Sequence, residues 1–542
     1  MKDAVLVCVL CAALLLDGCG GDNNVASDTD VAPSSTANRD EPISVSPKNP
    51  NQPTNAPLDP PASLIQSSQR ESASRTVAQA YAGCMNTSVA LSYEEQRLVN
   101  VLPGNTTPFA EQILAASGFD HFGPDFSGRL CEDGAIRSFD DAVRIVKIAG
   151  EGLWNAAVDR VQGRSVSGTL PRSDDRMLYW ARLKMTRVLR QWAPQVTLTT
   201  FERAQLQWVL ERASRGQYAI QFAPGKGVKR IIISGFDPFT LGTPGATHSS
   251  TNIRTGNPSG AIALALANRS IKLVDGSTAL IQTYLLPVDY DPFRKGMQEH
   301  TLAPFFIGDA RVDASITMSQ GDYGAFWIEN WHGRYHAAAF ADNLGTTIGN
   351  PFGAPLLPGM QDADIYPPDD VLSYDPQPWQ LDQPEQYTTT TLPVATIIGA
   401  NSGAAITEPG SSQPGGYKVA WHTNHDDFKD CGNSIETSFN SDTESLPYPP
   451  PTNPVPPAAT SCAYRGGGGN YLSNESGYRN TQLRDTLNPQ RTIFAGHLHV
   501  PVMTNFSDGD DGKLSDSLFE SYRDTIVQQA TNIVTAIAGA IQ

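Results

Sequence analysis

A serine in a glycine-rich turn and a histidine at the end of an apolar run have the types and setting for nucleophilic chemistry. Ser473 follows Gly467-Gly468-Gly469-Asn470-Tyr471-Leu472, and the residues after it, through Tyr478, Leu483 and Leu487, read as the start of a helix. A hydroxyl at such a junction lies near backbone N–H groups that can hold a developing oxyanion. His499 stands 26 positions later, in the stretch Ile493-Phe494-Ala495-Gly496-His497-Leu498-His499-Val500-Pro501. That stretch reads as a short apolar strand ending in two histidines. A hydroxyl and an imidazole brought within reach form a nucleophile–base pair. Serine in such a turn is more commonly turn chemistry alone, so the rest of the chain must supply the support.

The elements that would position the pair form an α/β pattern. β-Branched and apolar runs at Val228–Ser234, Ala279–Leu285, Val312–Met318 and Tyr417–Trp421 read as strands. Helical stretches at Ser259–Asn268 and Thr391–Ala400 separate them. This alternation predicts a mainly parallel sheet sandwiched by helices over residues 226–512. Two segments interrupt it: 345–385, rich in proline and aspartate, and 425–466, with the Pro-rich run from Tyr448 to Pro457. Residues 513–542 carry Leu518, Tyr522, Ile526, Ala530, Ile533 and Ile537 at helical spacing, which predicts a closing helix. Ahead of the sheet, residues 78–225 read as an all-helical domain. Arg144 to Val158 and Met177 to Trp192 are two of its helices, and Thr199 caps a third before Glu202, Leu206 and Leu210. No catalytic cluster appears there.

The bulk properties narrow the partners. With 542 residues there is room for two or three domains, and 40% hydrophobic content suffices for a packed core. A net charge of −17 excludes nucleic acid or an anionic membrane surface as the main partner. Lys2, the apolar run Ala4–Leu16 and the Gly18-Cys19 pair resemble a bacterial lipoprotein signal. Residues 1–19 are therefore expected to direct export, with Cys19 lipidated and the protein anchored in the cell envelope. Plain secretion and a retained N-terminus are the alternatives. Residues 20–77, poor in aromatics and rich in Ser, Asp, Asn and Pro, are expected to be a disordered tether. Cys84, Cys131, Cys431 and Cys462 remain, an even number in an exported chain. They allow three pairings, of which 84–131 with 431–462 is the simplest, against a reading as free buried thiols.

Further motifs carry a resemblance. Gly235-Phe236-Asp237-Pro238-Phe239 is followed in order by Asn257-Pro258-Ser259, Leu286-Pro287-Val288, Ser319-Gln320-Gly321 and Ala341-Asp342-Asn343-Leu344-Gly345. Thr391-Leu392-Pro393, Tyr471-Leu472-Ser473-Asn474 and His499-Val500-Pro501 complete the series. The succession resembles the pyroglutamyl peptidase I family, the pyrrolidone-carboxyl peptidases, over roughly residues 228–510. The resemblance implies that family's fold and a peptidase of N-terminal pyroglutamyl bonds with no metal or cofactor. It makes His499 the general base, Glu329 its orienting acid, Phe236 and Phe239 the clamp on a lactam ring, Leu472 part of the pocket, and Gln320 a hydrogen-bonding group beside the ring. A small neutral lactam has two apolar faces and one amide edge, which aromatic walls and a few polar groups can read.

Several features depart from the family. Ser473 stands where the family has its nucleophilic cysteine, and a hydroxyl must lose its proton during attack where a thiol can be preformed as thiolate. Serine triads accomplish this in similar geometry. Two readings follow: a Ser473–His499–Glu329 hydrolase of a pyroglutamyl or related small amide bond, and a silent binding or scaffold protein on the same fold. Cys462 lacks the flanking residues of a nucleophile. Glu329 fits only with a one-residue slip, and as a lone acid it could be a surface charge. His499 is preferred over His497 by its Val-Pro context, and His497 is expected to face the other way. The two phenylalanines could be core. The cluster His422-Thr423-Asn424-His425-Asp426-Asp427 invites a metal reading, but a polar loop leaving a strand is the simpler one.

Overall fold

The computed structural model describes residues 55–57, 84–222, 227–239, 252–309, 311–322, 324–335, 342–344, 385–410, 417–430, 433–439, 448–450, 453–503, 506 and 512–542. The expected signal at 1–19, with Cys19, lies outside these, as do Cys431 and nearly all of the 345–385 segment.

Among the described residues, the helices Phe109–Ser117, Phe122–Leu130, Phe139–Val161, Arg176–Gln191 and Thr200–Ala213 build the N-terminal domain. The last starts as its sequence predicts. Thr199 Oγ1 accepts from the Glu202 N–H and the Glu202 carboxylate returns a bond to the Thr199 N–H, a capping box. Trp154, Trp180, Leu153 and Leu183 fill the core between the helices, and a Cys84–Cys131 disulfide closes the domain's edge. The same core takes in Ala263, Leu264, Ala267 and Leu285 from the α/β domain. The two domains therefore share buried apolar surface.

The α/β domain is an eight-stranded sheet. Its strands are β1 (Asn55–Pro57), β2 (Val228–Phe236), β3 (Arg269–Lys272), β4 (Thr278–Leu286), β5 (Ala314–Gln320), β6 (Ala325–Glu329), β9 (Lys418–His422) and β13 (Phe494–Val500). They lie in the order β1-β3-β4-β2-β5-β13-β6-β9. The centre, β4-β2-β5-β13, is parallel, and β6 enters antiparallel to β13 with β9 parallel to β6. Ile231 and Ile233 of β2 face one side, with the closing helix Ser517–Ala540, while Ile232 faces the other, with Leu472 and Leu483. Helices thus cover both faces of a mostly parallel sheet. A two-stranded ribbon, β7 (Trp331–Gly333) with β8 (Tyr387–Thr389), lies beside it.

Two local expectations are revised. The segment 425–466 carries a three-stranded antiparallel sheet of β10 (Asp426–Asp430), β11 (Asn433–Phe439) and β12 (Cys462–Arg465). Acid-rich strands such as Asp426-Asp427-Phe428-Lys429-Asp430 have low intrinsic strand preference and are masked by the neighbouring prolines. The helix expected over Thr391–Ala400 is Val394–Gly399 alone. Thr391 instead stitches onto β13, its N–H donating to Ala495 O at 2.8 Å and its hydroxyl accepting from Ala495 N at 2.9 Å.

One buried ion cluster ties the domains together. Asp237, just after β2, takes Arg182 Nη2 at 2.6 Å and Arg215 Nη2 at 2.7 Å, both from the helical domain. All three side chains are almost wholly out of solvent. Removing one partner of a buried pair leaves an uncompensated charge. Asp237→Ala is expected to destabilise the protein by about 3–5 kcal/mol, read as a lower denaturant midpoint. A midpoint within experimental error of the parent would show that the cluster does not hold the domains.

Candidate functional site

The sheet order brings the acid to the base. β6 lies between β13 and β9, so Glu329 pairs in register with His497 on one side and His422 on the other, with His499 diagonally adjacent. Glu329 Oε1 is 2.6 Å from His499 Nδ1, and Oε2 is 2.7 Å from His422 Nδ1. The carboxylate is wholly buried. Burial alone would raise its pKa, but charge attraction and hydrogen bonding from His422, then from His499, hold it well below the usual carboxylate range. An ionised carboxylate can only accept, so both imidazoles donate through Nδ1, leaving Nε2 of His499 as the basic nitrogen.

Ser473 lies in the first turn of the Leu472–Leu487 helix, which begins one residue before Ser473 rather than after it. The helix start is pinned by Asn474, whose side chain accepts from Gly333 N at 2.9 Å and donates back to Gly333 O. The glycine run turns back on itself through paired Gly466 and Gly469 backbone bonds. A Cβ on Gly467 would sit 2.2 Å from Glu329 Oε2. A Cβ on Gly468 would touch both Asn474 N and His499 Cε1 at 3.4 Å. One glycine therefore separates the helix start from the His499 ring. Ser473 is half-buried, and among the described residues its hydroxyl makes no hydrogen bond.

The distant motifs converge on one loop. Phe236 N donates to Ser259 Oγ at 3.0 Å, Asn257 Nδ2 donates to Asp237 O at 2.9 Å, and Asn343 Nδ2 donates to Pro238 O at 2.9 Å. Asn343 N also donates to Val288 O at 2.9 Å. Gly235 passes so close to the Ser259 carbonyl that a Cβ would lie 2.2 Å from it, so only glycine fits. Phe236 is buried and stacked on Phe293 with centroids 6.1 Å apart, in one cluster with Leu472; Phe239 is half-buried at its margin. Gln320 ends β5 opposite Val500 and is half-buried. A cleft of about 220 Å³ opens between the domains, lined by Glu94, Glu95, Glu211, Asp289, Lys295 and Asn343 among others. Its lining includes neither Ser473 nor His499.

His497 does not face away from His499. Residues two apart on a strand share a face, because side chains alternate with each residue. The rings stand 4.8 Å apart. His497 differs from its neighbour in its partners, Thr317 Oγ1 and Ser319 Oγ, each at 2.8 Å. His422 is the site residue that sequence reasoning missed. Its local sequence suggests a polar loop, whereas it ends β9, and only the cross-strand register to Glu329 marks it out. Among the described residues no group of three or more His, Cys, Asp or Glu side chains is placed to hold a metal ion. Cys462 is disulfide-bonded, which removes it as a nucleophile.

Two nearby histidines carry a pH dependence. Burial pushes His332 down to about 3 and His497 well below its ordinary value. In the unfolded chain they take protons near pH 6.5, so stability is complete above that and falls as pH drops toward the folded values. Among the described residues, neither ring nitrogen of His332 has a hydrogen-bond partner. His332→Leu should keep stability at pH 7 and flatten the loss between pH 6 and 4 by about 1.4 kcal/mol per pH unit. Denaturant midpoints across that range check this; an unchanged slope contradicts a neutral His332.

Comparison with known proteins places the chain. Residues 73–211 match the PA0049 N-terminal domain and residues 230–504 match the PA0049 C-terminal domain. The uncharacterized protein PA0049 of Pseudomonas aeruginosa is 44% identical over 505 residues, spanning 84% of this chain and 90% of its own. Among solved structures, pyroglutamyl peptidase I from Bacillus amyloliquefaciens aligns at 15% identity with a TM-score of 0.30, over 58% of this chain and 95% of that one. Pyrrolidone carboxyl peptidase from Thermococcus litoralis aligns at 15% identity and a TM-score of 0.29, over 56% and 92%. With a helical domain and an α/β domain each matching its counterpart, the chain belongs to the PA0049 family.

Proposed function

We propose that the protein is a hydrolase of a small amide bond, with an N-terminal pyroglutamyl peptide as the substrate class, working through Ser473, His499 and Glu329. The observation that carries this reading is the 2.6 Å contact between His499 Nδ1 and a buried, ionised Glu329. That contact fixes the tautomer a general base needs. In the reaction, His499 Nε2 takes the Ser473 proton as Oγ attacks the carbonyl carbon. First-turn N–H groups of the Leu472–Leu487 helix hold the oxyanion. His499 then gives its proton to the leaving amine, and water, activated by the same imidazole, hydrolyses the acyl ester and restores Ser473. Phe236, Phe239, Leu472 and Gln320 would bound the ring of the substrate. Export and anchoring through Cys19 would put this activity in the cell envelope.

One observation favours a second reading, a silent binding protein on the same fold: the Ser473 hydroxyl is not hydrogen-bonded to His499. Hydrogen bonds of this kind are often long before substrate binds, so the hydrolase reading is preferred.

Turnover of a fluorogenic pyroglutamyl amide by the purified chain lacking residues 1–19 decides between them. The hydrolase reading expects release that Ser473→Ala lowers by about a thousandfold or more. Silence in the parent with activity in Ser473→Cys would mean an intact pocket whose native nucleophile fails on this substrate. Silence in all three folded proteins would favour the binding reading.

A further inference from the structure

Glu329 accepts two hydrogen bonds, and only the one from His499 leads toward Ser473. The other, from His422, has no part in the reaction as written above. A carboxylate turns about a broad, two-fold terminal torsion, so a single hydrogen bond does not fix its plane. It would also leave the second oxygen unpaired in a site without solvent, which is costly for a charged group.

We propose that His422 is a positioning residue: it holds the Glu329 carboxylate in the orientation that presents Oε1 to His499. The proposal rests on the Ser473–His499–Glu329 reading of the site. His422 is itself held in place. It lies directly opposite Glu329 in the β6–β9 register, its carbonyl accepts from Asn330 N at 2.9 Å, and its ring packs on Trp327 with centroids 5.2 Å apart. The Gly467 backbone closes the same side of the carboxylate, where even a methyl group would collide with Oε2. Glu329 is thus clamped by a donor from β9 and a wall from the glycine run, and its remaining oxygen has one direction to face.

The clamp has a consequence for catalysis. As a general base His499 must start without a proton on Nε2, and the neighbouring His332 and His497 are kept uncharged by burial. The attraction between His499 and Glu329 is therefore strongest when His499 takes the serine proton and becomes an imidazolium. An interaction stronger in the transition state than in the ground state raises kcat rather than lowering KM. Losing the clamp should appear in the same parameter.

Two substitutions separate this role from simple packing. His422→Leu fills space without a donor, while His422→Asn offers an N–H near the position of Nδ1. His422→Leu should lower kcat about tenfold or more with KM changed less than about threefold, and His422→Asn should recover most of the loss. His422→Phe, which keeps a ring against Trp327, serves as the donor-free variant if the leucine protein does not fold. Proton NMR of the resting, 15N-histidine-labelled protein gives a readout that needs no turnover. The parent should show two low-field Nδ1–H signals; the donor-free variant should lose that of His422 and shift or broaden that of His499, and His422→Asn should keep the latter. A folded donor-free variant with an unmoved His499 signal overturns the proposal. So does an unchanged kcat, or an asparagine variant as impaired as the leucine one. If the parent cleaves no pyroglutamyl amide, the hydrolase reading fails while the NMR comparison still decides whether His422 orients the carboxylate.

Discussion

A charged carboxylate with no solvent contact must find all its hydrogen bonds inside the protein, and in this chain Glu329 finds them in two imidazoles. That requirement accounts for much of the local architecture. It needs a strand between β13 and β9, so β6 enters antiparallel at the edge of the parallel centre. It also needs a backbone without side chains above the carboxylate, which the run Gly466–Gly469 supplies. The glycines that suggest an ordinary turn are, at Gly467, a steric condition for burying the acid.

A second constraint works at the C-terminal end of β2, which β5 separates from β13. The loop after β2 carries Asp237, whose charge is met by Arg182 and Arg215 of the helical domain. The same loop is held from its own domain by Ser259, Asn257 and Asn343. Residues more than a hundred positions apart thus fix the few atoms around Phe236 and Pro238. The helical domain, silent about chemistry in its sequence, is part of the support of this loop. Its core continues into the α/β domain through Ala263, Leu264 and Leu285, so the two cannot be treated as independent bodies.

In the proposed reaction the serine sets what this arrangement must do. A cysteine beside an imidazole can rest as a thiolate, whereas a serine reaches its nucleophilic form only as the base takes its proton. The burden falls on the base and on whatever stabilises its protonated form. A buried anion fixed against His499 Nδ1 is suited to that burden, and a second imidazole holding the anion still adds to it.

Features with local signals are legible in the order of residues alone. Continuous β-branched and apolar runs mark the parallel strands, three-to-four spacing the long helices, and a threonine three residues before Glu202 the Thr199 cap, while the ordered motifs point to Ser473, His499 and Glu329. Glu329 was the weakest of these, because its strand, Ala325–Glu329, is short and its role depends on neighbours far away in the chain. His422 is hidden for the same reason: it follows the predicted strand Tyr417–Trp421 directly, and its own stretch His422-Thr423-Asn424-His425 has the composition of a polar loop. The small sheet over β10–β12 was missed because acidic residues and prolines obscure strand propensity that tertiary pairing supplies. Which side chains meet depends on the folded chain. Strand order and register are set by packing between residues 90 to 170 positions apart, as His422 with Glu329 and Glu329 with His499, and no local pattern encodes that pairing.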